Sequence, residues 1–214
     1  RDQEIILMPG GSARFAPAIE VTRKSLENGE LGDPGLVRIH RWQPADPPGV
    51  ARLTIVQGLL RDIDLALEVF QGLPTEVYAI SRTVQAESEA DYLQVHLGFA
   101  KGGMALLDQS HALPDGDGYF SFSVLGSTGA AYADDHPNRQ LVFAGGHPGA
   151  PVTANRELGL LAELQDFCSA ILSRRTPRVT VEDWVAAARV AEAVEHSLKA
   201  GMVVPVKSEE SDGH

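Results

Sequence analysis

Between Thr75 and Ala144 apolar residues alternate with polar ones, and on either side of that stretch they recur mainly every three to four residues. Alternation puts successive side chains on opposite faces of a strand, whereas the longer period lines one face of a helix. The alternating stretch predicts strands over Thr75–Val84, Asp91–Ala100, Met104–Ala112, Tyr119–Leu125, Gly129–Ala133 and Asn138–Ala144. Gly102-Gly103, Pro114-Asp115-Gly116 and Ser127-Thr128-Gly129 supply turns. Links this short predict antiparallel neighbours, because a parallel return needs a crossover.

Upstream, Glu4–Met8 predicts a short strand and Pro9-Gly10-Gly11-Ser12 a turn, with Ser12 as the N-cap of a helix. Phe15, Ile19, Val21 and Leu26 form that helix's apolar face, and it stops near Gly29. Leu36–Trp42 predicts a strand in which Val37 and Ile39 alternate with Arg38 and His40. Pro44, Pro47 and Pro48 make a loop, and a second helix begins near Val50 and ends at Gly72. Downstream, Asn155–Leu172 gathers Leu158, Leu161, Leu164, Phe167 and Ile171 on one face. A last helix, Val181–Ala200, follows Thr180 as N-cap, with Asp183 at its third position. The expected fold is one α+β domain over residues 1–206, a largely antiparallel, open-faced sheet with helices packed on one face. Residues 207–214 read as a solvated tail.

Composition removes several function classes. A formal charge of −11, with Arg174-Arg175 as the densest basic pair, argues against nucleic-acid binding. No run of 18 apolar residues exists, so no membrane span is expected. The single Cys168 excludes an intrachain disulfide framework and a multi-thiolate zinc site. In the segment DFCSAIL it reads as a buried structural thiol. The first residues show neither an initiator Met nor a signal peptide, so a trimmed or fragmentary chain and a cytoplasmic location are expected.

The segment Gly49–Gly72, GVARLTIVQGLLRDIDLALEVFQG, resembles the active-site helix of the Gfo/Idh/MocA oxidoreductases, roughly GGG-x-x-x-D-x-x-x-H-D-x-D with a Phe-Gly end. Asp62, Asp64, Leu65, Leu67, Phe70 and Gly72 keep the tail of that pattern, while Gln57 and Arg61 stand where the family carries its catalytic Asp and His. Ala13–Trp42 is similar to the family's R-F-x-P helix, G-x-L-G turn and first sheet strand. Asp91–Asp135 resembles its strand, turn and "GT-x-G" strand pair, and the closing helices resemble its D-F-x-x-A-I segment and the helix after it. The resemblance covers the C-terminal half of a family member. The Rossmann half is missing: Pro9–Ser12 lacks the G-x-G-x-x-G spacing, and the family's Glu-Lys-Pro motif is absent. It therefore implies no cofactor on this chain alone, and NAD(P) where a Rossmann domain is supplied.

Gln57, Arg61, Asp64 and Glu68 are spaced to share one helix face. That face reads either as the rim of a substrate pocket or as a solvated stripe in which Arg61 pairs with Asp64 or Gln57. The pocket candidates are Gln57, Arg61, Asp62, Asp64 and, from its match to the family's R-F pair, Arg14. None is assigned a catalytic role. Gln57 does not titrate and Arg61 stays protonated, so neither takes a proton from an alcohol, though Arg61 suits a carboxylate or phosphate. His40, His96 and His111 fall on predicted strands without ligand-like spacing, and no metal site is expected. Tyr92, Met104, Leu106, Tyr119, Phe120 and Phe122 are divided between the two sheet faces. By resemblance, the open face implies a homo-oligomer. The function implied is the substrate-binding and oligomerisation domain of an NAD(P)-dependent oxidoreductase acting on sugar-like alcohols, catalytically degenerate at Gln57 and Arg61. The alternative is a non-catalytic small-ligand-binding or scaffold protein on the same sheet.

Overall fold

A computed structural model of the chain describes residues 5–44, 54–83, 91–113, 118–134, 139–144, 147–149 and 157–207. A 3-10 turn at Ser12–Phe15 leads into helix α1, Pro17–Glu27. Strand β1, Pro34–Pro44, precedes helix α2, Ile55–Phe70. Strands β2 (Glu76–Arg82), β3 (Tyr92–Gly98), β4 (Met104–Leu113), β5 (Tyr119–Gly126), β6 (Gly129–Asp134), β7 (Arg139–Ala144) and β8 (His147–Gly149) follow. Helices α3 (Glu157–Ser173) and α4 (Val181–Ala200) and the short strand β9 (Val204–Pro205) complete the described elements.

The strands form one nine-stranded sheet in the order β8-β7-β6-β5-β1-β4-β3-β2-β9. β1 therefore lies between β4 and β5, which the short link between them had predicted as neighbours. It pairs parallel with β4 and antiparallel with β5. The parallel pair is possible because the chain between β1 and β4 contains a crossover: α2 passes over the sheet before β2 and β3 are laid down. Val37 and Ile39 on β1, Leu107 on β4 and Phe122 on β5 all face the helices and are fully enclosed. Burying each such side chain contributes about 1.5–3 kcal/mol. α2 and α4 supply the opposing layer through Leu59, Ile63, Ala66, Ala187, Val190 and Val194. Ser197 ties α4 to the sheet, accepting a hydrogen bond from the Ala79 amide at 2.9 Å and donating to the Met202 carbonyl at 2.7 Å.

The first predicted helix is broken. Ala16 is extended, with ψ of 135°, because it precedes Pro17, and the helical path restarts at that proline. Ser12 begins the 3-10 turn rather than capping a helix, and Thr22 and Ser25 are buried beside Ile19 where Val21 was expected. Residues 5–8 form no strand. Ile5 and Leu7 are 71% and 66% exposed, and among the described residues no strand pairs with them. α3 departs further from its sequence pattern. It packs on the 3-10 turn and its flanks through Gly159 and Glu163 and buries Ala170, while Leu161, Leu164 and Ile171 of the predicted core stripe are exposed, together with Leu160, Leu172 and Cys168. The Leu158 side chain lies outside the described residues.

Among the described residues, the other sheet face carries no helix. His40, Trp42 and Tyr119 cluster there with ring centroids 5.3–6.5 Å apart, and His40 Nδ1 lies 2.9 Å from Asp108 Oδ2. Tyr92, Met104, Leu106 and the exposed His96 share this face, whereas Phe120 and Phe122 face the helices. Burial, reinforced by the Asp108 carboxylate, pushes the Tyr92 phenol up.

Candidate functional site

α2 begins at Thr54, whose side chain accepts from the Gln57 amide at 3.2 Å while Gln57 Oε1 accepts from the Thr54 amide at 2.9 Å. This capping box satisfies donors that the helix start leaves over, and it occupies Gln57 at an exposed corner. One turn further, Arg61 donates through Nη2 to Gln43 Oε1 at 3.5 Å. Gln43 Nε2 in turn lies 3.1 Å from His111 Nε2, and Gln109 Nε2 lies 3.0 Å from the same atom. The His111 amide donates to the Asp91 carbonyl at 2.8 Å, which fixes the strand beneath the ring. Parallel pairing brings the C-terminal ends of β1 and β4 side by side, so Gln43, Gln109 and His111 meet just below the first turns of α2. Gly58 permits the close approach: a Cβ there would lie 2.6 Å from Gln109 Nε2. Gln109 is completely buried, and among the described residues its Oε1 has no hydrogen-bond partner.

The other candidates are held elsewhere. Asp62 accepts three hydrogen bonds from Arg41, at 2.6–3.0 Å, and the Arg41 guanidinium also lies 4.3 Å from the Phe120 ring centre. Asp64 accepts from Arg14 Nε at 2.8 Å and from Nη2 at 2.5 Å, and Asp183 lies 3.2 Å from Nη2. Arg178 adds bonds to Glu20 at 2.5 Å, to Glu68 at 3.1 Å and to the Arg14 carbonyl at 2.9 Å. Burial pushes the Asp64 and Glu68 carboxyls up despite these cations. Asp183 is held down against its own burial by hydrogen bonds from Thr180 and by Arg14. A cleft of about 760 Å³ borders this network, lined by Arg14, Arg23, Glu68, Arg178 and Asp183 among others, and reaches neither Gln57 nor Arg61. Among the five candidates, then, only Arg61 joins the polar cluster at the start of α2. Asp62 and Asp64 spend their oxygens on guanidinium groups.

Gln43, Gln109 and His111 were not expected in the site. The signal for two of them lay in the alternation: Leu107 faces the helices, so Gln109 and His111, two and four residues on, share its side. His40 and His96 fall on the opposite face, so the three strand histidines do not converge. Among the described residues no group of three or more His, Cys, Asp or Glu is placed to hold a metal, and no helix is long and apolar enough to cross a membrane.

The turn at Pro9–Ser12 does not fit a pyrophosphate. The Gly11 amide, which a pyrophosphate at this turn would need, donates to Glu163 Oε1 at 2.5 Å. That carboxylate would repel a phosphate, and the 3-10 turn that follows is too short to act as a helix N-terminus.

The family model of the GFO/IDH/MocA C-terminal domain matches residues 19–132. The chain is 27% identical over 226 residues to the uncharacterized oxidoreductase YrbE of Bacillus subtilis, an alignment covering 98% of this chain and 66% of YrbE. It is 26% identical over 212 residues to the myo-inositol 2-dehydrogenase of Thermotoga maritima, covering 92% of this chain and 63% of that protein. The structure of levoglucosan dehydrogenase in complex with NADH and levoglucosan shares the fold, with a TM-score of 0.83 at 17% identity, over 97% of this chain and 68% of that one. The chain thus spans 66% or less of the length of these two curated relatives.

Proposed function

The chain belongs to the GFO/IDH/MocA C-terminal domain family, and from that premise we propose that it is the substrate-binding and oligomerisation part of an NAD(P)-dependent oxidoreductase acting on a sugar-like alcohol. The observation that carries the reading is the polar cluster of Gln43, Arg61, Gln109 and His111 at the joined ends of β1, β4 and α2. Amides, an imidazole and a guanidinium suit a polyhydroxylated ligand, which presents many donors and acceptors and little apolar surface. The dinucleotide is assigned to a region outside these residues. The exposed apolar stripe of α3, beside exposed Ile5 and Leu7, supports this, since such a surface is ordinarily covered by another domain or chain. The aromatic, helix-free sheet face supports assembly of identical copies, because Tyr, Trp and Met are enriched at interface cores.

On α2 itself the proton-transfer positions are degenerate: Gln57 caps the helix, Arg61 carries a permanent charge, and Asp62 and Asp64 are locked in ion pairs. That favours a second reading, a protein that binds the same ligands without turning them over. One experiment separates the two. The full encoded polypeptide is titrated with NAD+ and NADP+ and assayed for reduced cofactor with myo-inositol and a panel of aldoses. Turnover supports the oxidoreductase. Polyol and dinucleotide binding without turnover supports the second reading, and absence of dinucleotide binding ends the first.

A further inference from the structure

We infer that Glu68 makes the attachment of α3 proton-sensitive, so that α3 is held more tightly on mild acidification and is loosened as pH rises. The inference concerns a part of the fold away from the start of α2 and stands apart from the oxidoreductase reading.

α3 is an arm with a narrow attachment. Among the described residues it packs chiefly on the 3-10 turn. The Gly11 amide donates to Glu163 Oε1 at 2.5 Å, and a Cβ on Gly159 would lie 3.1 Å from the Ser12 carbonyl oxygen. Its other hold is on the connection to α4, where Asp166 accepts from the Arg178 amide at 2.9 Å and from Arg175 Nη2 at 2.6 Å. Two guanidiniums fasten the turn and the connection to the body of the fold. Arg14 reaches Asp64 on α2 and Asp183 on α4. Arg178 lies 4.9 Å from the Phe15 ring centre, donates to the Arg14 carbonyl, and reaches Glu20 on α1 and Glu68 on α2. α3 is therefore held through what Arg14 and Arg178 hold.

Glu68 is the least compensated member of this network. Its side chain is 12% exposed, and among the described residues its carboxylate accepts one hydrogen bond, from Arg178 Nη2 at 3.1 Å. Arg178 shares its charge with Glu20, 2.5 Å from Nη1. The other charged groups facing Glu68 are Asp64 one turn back on α2, Arg14 on the 3-10 turn, Arg23 and Glu27 on α1, and Glu182 and Asp183 on α4. Arg23 is itself bonded to Glu20 and Glu27. Burial pushes the Glu68 carboxyl up, and Arg14 and Arg178 do not offset it.

Lifting the turn and the connection off α2 opens Glu68 to water and returns its carboxyl toward the ordinary range. The attached form thus binds the proton more readily than the lifted form. Linkage then strengthens attachment as pH falls toward the ordinary carboxylate range and weakens it as pH rises through the raised value. Glu20, held down to about 2, and Asp183, also held down, act in the opposite sense, and their contribution is lost as pH falls through the ordinary range. Attachment is strongest in mild acid. A clasp of well-compensated ion pairs would only loosen on acidification, so the sign of the effect separates the two.

The test is hydrogen exchange followed by mass spectrometry on the full encoded polypeptide at about pH 8 and about pH 6, with rates corrected for their intrinsic pH dependence. Peptides from α3 and from Ser12–Phe15 are expected to be about three- to tenfold better protected at the lower pH, with much smaller changes in β3 and β4. Glu68→Gln, which keeps an acceptor for Arg178 without the charge, should protect α3 at the higher pH as the wild type does at the lower, and abolish the dependence. Protection of α3 that is unchanged or lower in mild acid overturns the inference. So does a dependence that survives in Glu68→Gln, which would place the titrating group elsewhere. Should that variant fail to fold, carboxyl 13C spectra of the glutamate-labelled wild type, assigned by through-bond correlation, decide the matter. The Glu68 signal is expected to titrate above the ordinary carboxylate range, and titration within or below that range overturns the inference.

Discussion

Arg14→Met would strand the Asp64 carboxylate inside the protein. The side chains of Arg14 and Asp64 are only 7% and 3% exposed, and their bonds run at 2.5 and 2.8 Å. Arg14 also reaches Asp183 at 3.2 Å and the Arg178 carbonyl at 3.4 Å, so it joins the 3-10 turn to α2, to α4 and to the segment between α3 and α4. Taking one partner from a buried pair leaves an uncompensated charge and costs about 3–5 kcal/mol. For a chain of this size 1 kcal/mol corresponds to about 2–4 °C, so melting is expected to fall by about 6–20 °C. Replacing both partners, Arg14→Met with Asp64→Leu, removes the stranded charge and is expected to cost less than Arg14→Met alone. Urea unfolding followed by circular dichroism, with an unchanged denaturant slope, measures each value. The pair braces the fold away from the start of α2, so polyol affinity there should persist in whichever variants remain folded. A loss below about 1 kcal/mol for Arg14→Met, as for a solvated pair, would refute the argument. So would lost polyol binding in a folded Arg14→Met protein.

Thr180→Ala removes the side chain that accepts from the Asp183 amide and donates to its carboxylate, and should cost about 1 kcal/mol in the same unfolding assay. An unchanged midpoint would mean that the cap contributes nothing. The Glu20 carboxyl is held down to about 2 by its bond from Arg23 and, against burial, by Arg178. Its folded value lies below its unfolded one, so its stabilisation is full above the ordinary carboxylate range and is lost as pH falls through that range toward 2. Glu20→Gln should flatten part of the stability decline between neutral pH and pH 3, and an identical pH profile would contradict this. Met104, 55% exposed on the helix-free sheet face, is the probe for assembly. Met104→Asp is expected to lower the sedimentation mass to that of a single copy without changing the circular dichroism spectrum, and an unaltered mass would place the interface elsewhere.

Much of the architecture could be read from the sequence because it is set by neighbours close along the chain. Alternation from Thr75 onward placed β2 to β6 to within a few residues, since a strand's two faces are distinguished residue by residue. The Thr180–Asp183 cap was visible because its partners are three residues apart. Likewise the loss of a titrating group at positions 57 and 61 is a fact of residue type alone. The break before Pro17 was also local, though the apolar spacing of Phe15 and Ile19 disguised it.

Tertiary structure decided everything that depended on which distant segments meet. β1 enters between β4 and β5 only because α2 provides a crossover, and that parallel register is what brings Gln43 to His111, 68 residues away. Asp64 finds Arg14 across 50 residues, an ion pair that no local spacing announces. The α3 leucines have a core-like spacing, yet burial is a property of what stands opposite, and the described residues place nothing over Leu161 and Leu164. The chain's periodicities specified its elements and the family they resemble. Long-range pairing chose which side chains meet at the start of α2, because charge and hydrogen-bond partners are assigned by distance in space and not along the chain.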